Sequence, residues 1–297
     1  MLSILVPVYN QEIVALAATL VDACKKAEVR YEILFGEDGS SAEWVDTNST
    51  VKNLDSVEHL VFKDNRGRSA IRNTLASLAK YECLLFLDAD SQLTGSRFIA
   101  DYLKLIKDYP VISGGRIYAV DPPEDKLLRL HWTYGTSKES KPAKARNTQP
   151  YLSFHSNNFV VRKDLMLAFP FDEEIRDYGY EDTVWALSLQ RSGIMIAHID
   201  NPCIHMGLEK AEVFVSKADS ALRNLYHLEQ KGLLSGLAIQ RIARRISTFL
   251  PQTVRPFVKH IKIQLRSLLS NGVSCISIFQ IYRLLAYYLL ITEDESL

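Results

Sequence analysis

Through the first third of the chain, short β-branched apolar runs alternate with longer stretches whose apolar positions recur every three or four residues. A mostly apolar run from Ser3 to Val8 reads as a buried strand. Val14, Ala17, Ala18 and Val21 mark one face of a helix across residues 12–28. Residues 31–36 form a second strand pattern, 44–54 a helical or irregular stretch, 57–62 a third strand and 69–79 a helix. A fourth strand, 83–87, runs directly into Asp88-Ala89-Asp90. Strands alternating with helices at this spacing predict right-handed βαβ units and a parallel sheet.

Further along, the pattern predicts a helix over 96–109 and a strand over 111–118. Residues 121–150 are polar and carry Pro122, Pro123 and Pro142, which predicts a partly mobile insertion; a loop this long is usually functional or disordered. A strand over 156–161, a helix over 181–191 and a strand over 194–199 follow. From Phe214 onward the pattern is helical, broken near Pro251 and Pro256.

In an open parallel sheet, ligands bind beyond the carboxyl ends of the strands. Four polar clusters stand at such ends: Pro7-Val8-Tyr9-Asn10, Glu37-Asp38-Gly39-Ser40, Asn65-Arg66-Gly67-Arg68 and Asp88-Ala89-Asp90. Their convergence on one crevice is expected. The two acids of the last cluster suit Mg²⁺ or Mn²⁺, which bind one or two carboxylates together with substrate phosphates. A solvated turn with Asp capping the next helix explains the same residues more plainly. Arg66, Arg68 and Arg72 match phosphate oxygens in a bidentate way, or else mark a solvated helix start. Glu181 and Asp182 stand at a helix start, where acids complement the helix dipole or one of them takes a proton as general base. His205 is placed to join a metal shell, and His198, in an apolar strand, reads as a core histidine. Phe154 to Asn158 precede a strand and are candidates for lining an acceptor. Trp132 and Tyr134 stack on a sugar or anchor the insertion.

Taken in order, these clusters, extended through Ser69-Ala70-Ile71-Arg72-Asn73 and joined by Gly179-Tyr180-Glu181-Asp182, resemble glycosyltransferase family 2 with its GT-A fold, over roughly residues 1–210. The resemblance implies a Rossmann-like, mostly parallel α/β sheet flanked by helices, with a C-terminal helical region outside it. It implies a nucleotide-sugar-binding half at 1–118, an acceptor-binding and catalytic-base half at 119–213, and helices over 214–297. It further implies inverting transfer of a sugar from a nucleoside diphosphate, UDP being the family's commonest, to a hydroxyl of a saccharide or lipid-linked glycan in polysaccharide biosynthesis. Carried over by position, Tyr9 and Asp38 contact the base, with Pro7 and Asn10 beside them, and Arg66 and Arg72 serve the diphosphate. Asp88 holds the nucleotide side. Asp90 binds Mn²⁺ or Mg²⁺, with His205 completing the shell. Asp182 is the general base, with Glu181 as its neighbour. Glu37 stands where an Asp is frequent. No Gln-x-x-Arg-Trp motif of processive members is present, which implies addition of a single sugar. A non-catalytic binding domain on the same fold and a metal-dependent nucleotidyltransferase are the competing readings.

The composition, 47% hydrophobic and 24% charged, is that of an ordered globular chain. Net charge is zero, yet Lys231 to Ile291 contains no acid and nine Lys and Arg. Such a basic, amphipathic stretch predicts an anionic partner. A membrane surface, the acidic catalytic domain and a second copy in a homodimer are the three candidates. Nucleic acid is the weakest alternative, since no binding motif accompanies the charge. Scattered cysteines and no visible signal peptide predict a cytoplasmic protein, placed at the inner face of the membrane if the basic helices bind it.

Overall fold

The computed structural model describes residues 1–294 and divides into two compact units. One comprises 1–119, 140–176 and 181–207, and the other 120–139, 177–180 and 208–297.

The first unit is built on a seven-stranded sheet in the order β3-β2-β1-β4-β8-β6-β9. Its strands are β1 (Leu2–Val8), β2 (Tyr31–Asp38), β3 (Val57–Phe62), β4 (Cys83–Leu87), β6 (Val111–Ser113), β8 (Asn158–Arg162) and β9 (Ile196–His198). The first four run parallel; β8 alone runs against its neighbours β4 and β6. The sheet is therefore mixed but mostly parallel. Helices α1 (Val14–Lys26), α2 (Ala42–Asn48), α3 (Arg68–Leu78) and α4 (Phe98–Leu105) connect the early strands. Two apolar layers result. Ile4, Val6, Ile33 and Phe35 pack with Leu20 and Cys24 of α1. Leu5, Leu34 and Leu84 pack with Ile71 and Leu75 of α3 and with Phe159 and Trp185. A strand buried on both faces needs an unbroken apolar run, which is why β1, β2 and β4 stand out in the sequence. A small second sheet, β5 (Ser91–Leu93), β10 (Cys203–His205) and β7 (Arg116–Ile117), lies beyond β4.

The strand expected over 111–118 is broken into β6 and β7 by Gly114-Gly115. A Cβ on Gly114 would stand 2.0 Å from the Tyr102 hydroxyl and 2.3 Å from the Asn201 carbonyl oxygen, so only glycine fits. The stretch expected to be a partly mobile insertion contains α5 (Arg129–Tyr134), one π turn and α6 (Ala143–Arg146). Arg146 explains the order in its later part. Its buried guanidinium donates to the carbonyls of Lys141, Ser113, Gly114 and Ile199 and to His198 Nδ1, at 2.7–3.2 Å. A lone Arg in a polar stretch has no periodicity to announce this.

His198 is the core histidine expected. Nδ1 faces the Arg146 donor at 2.7 Å and Nε2 faces the Pro150 carbonyl at 2.8 Å, which fixes the neutral Nε2–H tautomer. Burial, reinforced by the Arg146 charge, pushes its pKa down to about 4. The folded value lies below the unfolded one of about 6.5, so its contribution is complete above pH ~6.5 and disappears as pH falls toward the folded value. Allowing for some screening, about 2 kcal/mol should be lost across that window. Urea unfolding of wild type and His198→Gln at several pH values checks it: the variant should lack that part of the acid dependence.

The second unit is helical. It includes α5 with α9 (Ala211–Gln230), α10 (Ala238–Phe249), α11 (Arg255–Ser270) and α12 (Ile276–Asp294); α7 (Lys163–Ala168) and α8 (Glu181–Arg191) belong to the first unit. Pro256 lies in the first turn of α11 rather than at a break, where its missing N–H costs nothing. Tyr134 packs on Phe214 and Phe279, with Arg283 over its ring, so it anchors α5. α12 is buried within the bundle through Phe279, Tyr282, Tyr287 and Tyr288. No helix among the described residues is long and apolar enough to cross a membrane.

Candidate active site

The four strand-end clusters meet through specific bonds. At the end of β1, Asn10 holds a left-handed φ of 49°. Its N–H donates to Ser40 Oγ and its Oδ1 accepts from Ser41 N–H, both at 2.9 Å, tying the first cluster to the second. Pro7 is half-buried below and Tyr9 is 57% exposed above. Asp38, at the end of β2, accepts the Arg66 N–H at 2.8 Å on one oxygen and the Gly67 N–H at 3.0 Å on the other. Burial raises its carboxyl above the ordinary value against the pull of these two N–H groups and the Arg66 charge. Gly39 holds φ 72°, and a Cβ there would stand 2.4 Å from Asn65 N, so the second cluster locks against the third. Glu37 is fully buried and bonded to Asn48, with His59 at 3.2 Å; it serves the fold.

Arg72 links the third and fourth clusters. It lies buried on α3, one nitrogen 3.2 Å from Asp88 Oδ1 and another 3.7 Å from Glu181 Oε1. Asp88 is approached from its other side by Arg116 at 3.6 Å. Arg66 is placed differently from Arg72. Its guanidinium binds Thr74 Oγ1 and lies over Phe62, and no ion pair joins it to Asp88 or Asp90 among the described residues.

Asp90 stands where β4 gives way to β5. Its Oδ1 is buried and accepts no hydrogen bond, while His205 Nδ1 of β10 lies 3.2 Å away, outside hydrogen-bond geometry. Burial alone would raise its carboxyl; His205, Arg116 and Arg68 together hold it below the usual value. Behind it, a Cβ on Gly207 would come within 2.2 Å of Asp90 Oδ2. An orphaned carboxylate oxygen beside an imidazole nitrogen is a donor set that fits a divalent cation such as Mn²⁺. No cluster of three or more such side chains occurs among the described residues, so remaining positions of a cation here would fall to substrate and water, as is usual for ions that bind phosphates.

Glu181 and Asp182 open α8, after Gly179 and Tyr180, both at positive φ. Burial, and then the charge of Asp182, raises the Glu181 carboxyl, with Arg68 and Arg72 opposing. Burial would raise Asp182 too, but His155 Nδ1 at 3.5 Å, the Thr183 N–H at 2.7 Å and Arg72 hold it below the carboxylate range. Adjacent acids pushed in opposite directions titrate in sequence, Asp182 losing its proton before Glu181 as pH rises.

Three participants were not singled out in the sequence: Arg116, Gly207 and the pairing of His155 with Asp182. Arg116 follows Gly114-Gly115 just past an apolar run, the same strand-end rule that marks the other clusters. Gly207 and the His155 pairing have no such signal.

The model of the family described as Glycosyl transferase family 2 matches residues 3–166, more than half of the chain. The chain belongs to glycosyl transferase family 2. Chondroitin synthase of Escherichia coli is 25% identical over 233 residues, which cover 67% of this chain and 33% of that one. The chain spans about a third of the length of this curated relative. Among solved structures, the mannosyltransferase PcManGT from Pyrobaculum calidifontis, in complex with GDP-Man and Mn²⁺, aligns over 99% of this chain and 75% of its own, with TM-score 0.54 and 14% identity. Mannosyl-3-phosphoglycerate synthase from Rubrobacter xylanophilus aligns over 80% and 76%, with TM-score 0.55 and 17% identity. TarS of S. aureus, residues 1–349 with UDP, aligns over 99% and 91%, with TM-score 0.51 and 15% identity. These likenesses are of fold, and the chain has the GT-A architecture.

Proposed function

We propose that this glycosyltransferase moves a sugar from a nucleoside-diphosphate sugar, with UDP as the nucleotide, to a hydroxyl of a saccharide or lipid-linked glycan, inverting the anomeric centre. The observation that carries this reading is the position of Arg72. One buried guanidinium contacts Asp88 at a strand end and Glu181 beside Asp182. The acids of a donor side and of a base side therefore share one crevice.

In this reading Asp38, Tyr9, Pro7 and Asn10 receive the base and ribose, and Asp88 holds the nucleotide through its remaining lone pairs. Arg72 orients Asp88, while Arg66 swings from Thr74 to reach phosphate oxygens. Asp90 and His205 hold Mn²⁺ or Mg²⁺, which when bound supplies Lewis-acid stabilisation of the leaving diphosphate. Asp182, ionised at neutral pH, accepts the acceptor hydroxyl proton as that oxygen bonds to the anomeric carbon. The bond from this carbon to the β-phosphate oxygen breaks, its electron pair leaving with the diphosphate. Attack opposite the leaving group inverts the centre. Ser69 Oγ and Asn157 Oδ1, buried without hydrogen-bond partners, are polar atoms that a bound substrate would satisfy.

The relatives support the choice of substrates. The mannosyltransferase binds GDP-Man with Mn²⁺ and TarS binds UDP, and chondroitin synthase is named for a glycan product. Calorimetric titration of UDP, GDP and dTDP, each with and without Mn²⁺, tests the donor reading. UDP should bind, and bind more tightly with the metal. Failure of all three to bind folded protein would overturn the reading. Release of pyrophosphate instead of nucleoside diphosphate during turnover would assign a nucleotidyltransferase.

A further inference from the structure

The helical unit contains a cavity of about 740 Å³ between α9, α11 and α12, within the size range of small-molecule sites. One side of it is basic. Arg255, Lys259, Lys262 and Arg266 line it from one face of α11 and Arg223 faces it from α9. Two carboxylates also line it, and both are engaged. Asp219, 8% exposed, is bound by Arg266, by the Tyr282 hydroxyl at 2.6 Å and by Lys262 at 3.3 Å. Glu293 pairs with Arg255 at 2.7 Å. Among the described residues neither Arg223 nor Lys259 has an acidic partner; Arg223 reaches only Ser220 Oγ. Five cations thus face two carboxylates, and two of the cations are uncommitted.

The other side is apolar, formed by Leu222, Ile263, Ala286, Leu289 and Leu290. A small inorganic anion would use the cations and leave this wall in water. An anion with an apolar body uses both. The surroundings point the same way. Phe249 and Leu250, just before the lining residue Gln252, are 77% and 39% exposed, and Phe257, next to the lining residue Pro256, is 66% exposed. Exposed aromatics among Arg and Lys form the side-chain chemistry of a surface that rests in a lipid interface.

We propose that the helical unit docks on an anionic bilayer, taking the phosphate head of one lipid between Arg223, Lys259 and Lys262, with its apolar body against Ile263, Leu289 and Leu290. Phe249, Leu250 and Phe257 sink into the interface beside it. None of these residues belongs to the proposed sugar-transfer site, so either assignment can fail without the other.

The test is co-sedimentation of the full chain with phosphatidylcholine vesicles, with and without phosphatidylglycerol, at about 0.1 M salt. The protein should pellet only with the anionic vesicles. Each basic side chain near such a surface contributes about a factor of five, so Arg223→Ala/Lys259→Ala should weaken binding roughly 30-fold. Phe249→Ser/Phe257→Ser, at exposed positions where folding is insensitive, should weaken it with no change of charge. Soluble dihexanoyl phosphatidic acid should bind by calorimetry more tightly than inorganic phosphate, and sugar transfer to a soluble acceptor should be unchanged in both variants. Equal binding of phosphate and lipid would make the cavity a plain phosphate site. Insensitivity to both double variants, or pelleting without anionic lipid, would overturn the proposal. So would a lipid-free dimer that dissociates in the Phe variant, since the surface would then belong to a second copy.

Discussion

Asp182→Asn should lower kcat for sugar transfer by about 10³-fold, the middle of the range for removing a general base, equivalent to about 4 kcal/mol of transition-state stabilisation. The substitution is nearly isosteric, and an amide cannot take the acceptor proton. It also removes a charge that helps raise the Glu181 carboxyl, so Glu181 becomes easier to ionise and stays paired with Arg72. The neighbourhood should therefore survive, and the donor KM and the melting temperature should move little. A merely dipolar role for Asp182 at the start of α8 predicts the reverse, a small loss of stability of at most about 1 kcal/mol and near-normal kcat. The wild-type pH profile separates the readings further. The Asp182 carboxyl lies below the usual carboxylate range, held there by His155, the Thr183 N–H and Arg72 against its burial. Activity should therefore be retained in mildly acidic solution and fall only as pH drops through that depressed value. In His155→Ala, the acid limb should move to higher pH, because Asp182 loses its largest stabilising partner. Steady-state kinetics on the three proteins decide it.

What was legible beforehand follows from how each feature is written in the chain. Strands buried on both faces need unbroken apolar runs, so β1, β2 and β4 lie at or within a residue or two of their predicted places, and the edge strand β3, half-exposed, coincides with its predicted run as well. The strand-end rule then places Asp38, Asp88 and Asp90 on one side from the sequence alone. Other features depend on a single side chain finding distant partners. Arg146 orders residues that read as a loop because its five donors meet carbonyls and a ring from three separate segments. His155 and Asp182 are 27 residues apart and meet at 3.5 Å; neither spacing nor polarity announces that pairing. Asp38 shows a subtler limit. Its position was readable, but not that both oxygens already accept N–H bonds from Arg66 and Gly67. Any base contact must therefore use the remaining lone pairs of a carboxylate already fixed in orientation.

Gly207→Ala should reproduce most of the defect of Asp90→Ala. The added Cβ would stand 2.2 Å from Asp90 Oδ2, a distance no methyl group tolerates, so the carboxylate has to turn. The Met206 N–H bond to the Asp90 carbonyl, at 2.9 Å, fixes the 205–207 segment against Asp90 and leaves the side chain as the part that moves. Turning it separates Oδ1 from His205 Nδ1, now 3.2 Å away, and dismantles the paired donors. Gly207 is not at positive φ, so alanine strains no backbone and the effect should be confined to this contact. Charge stabilisation at such a site is worth several kcal/mol, and on that scale both variants should lose about 10²-fold or more in kcat. Nucleotide binding measured in Mn²⁺ should fall to the level seen in chelator. The decisive measurement is the double variant. With the Asp90 carboxylate gone, the methyl at 207 has nothing to displace, so Asp90→Ala/Gly207→Ala should be no worse than Asp90→Ala alone, a coupling of the kind expected for residues in direct contact. Additive losses would instead place the Gly207 effect elsewhere and leave Asp90 as a capping residue at the end of β4.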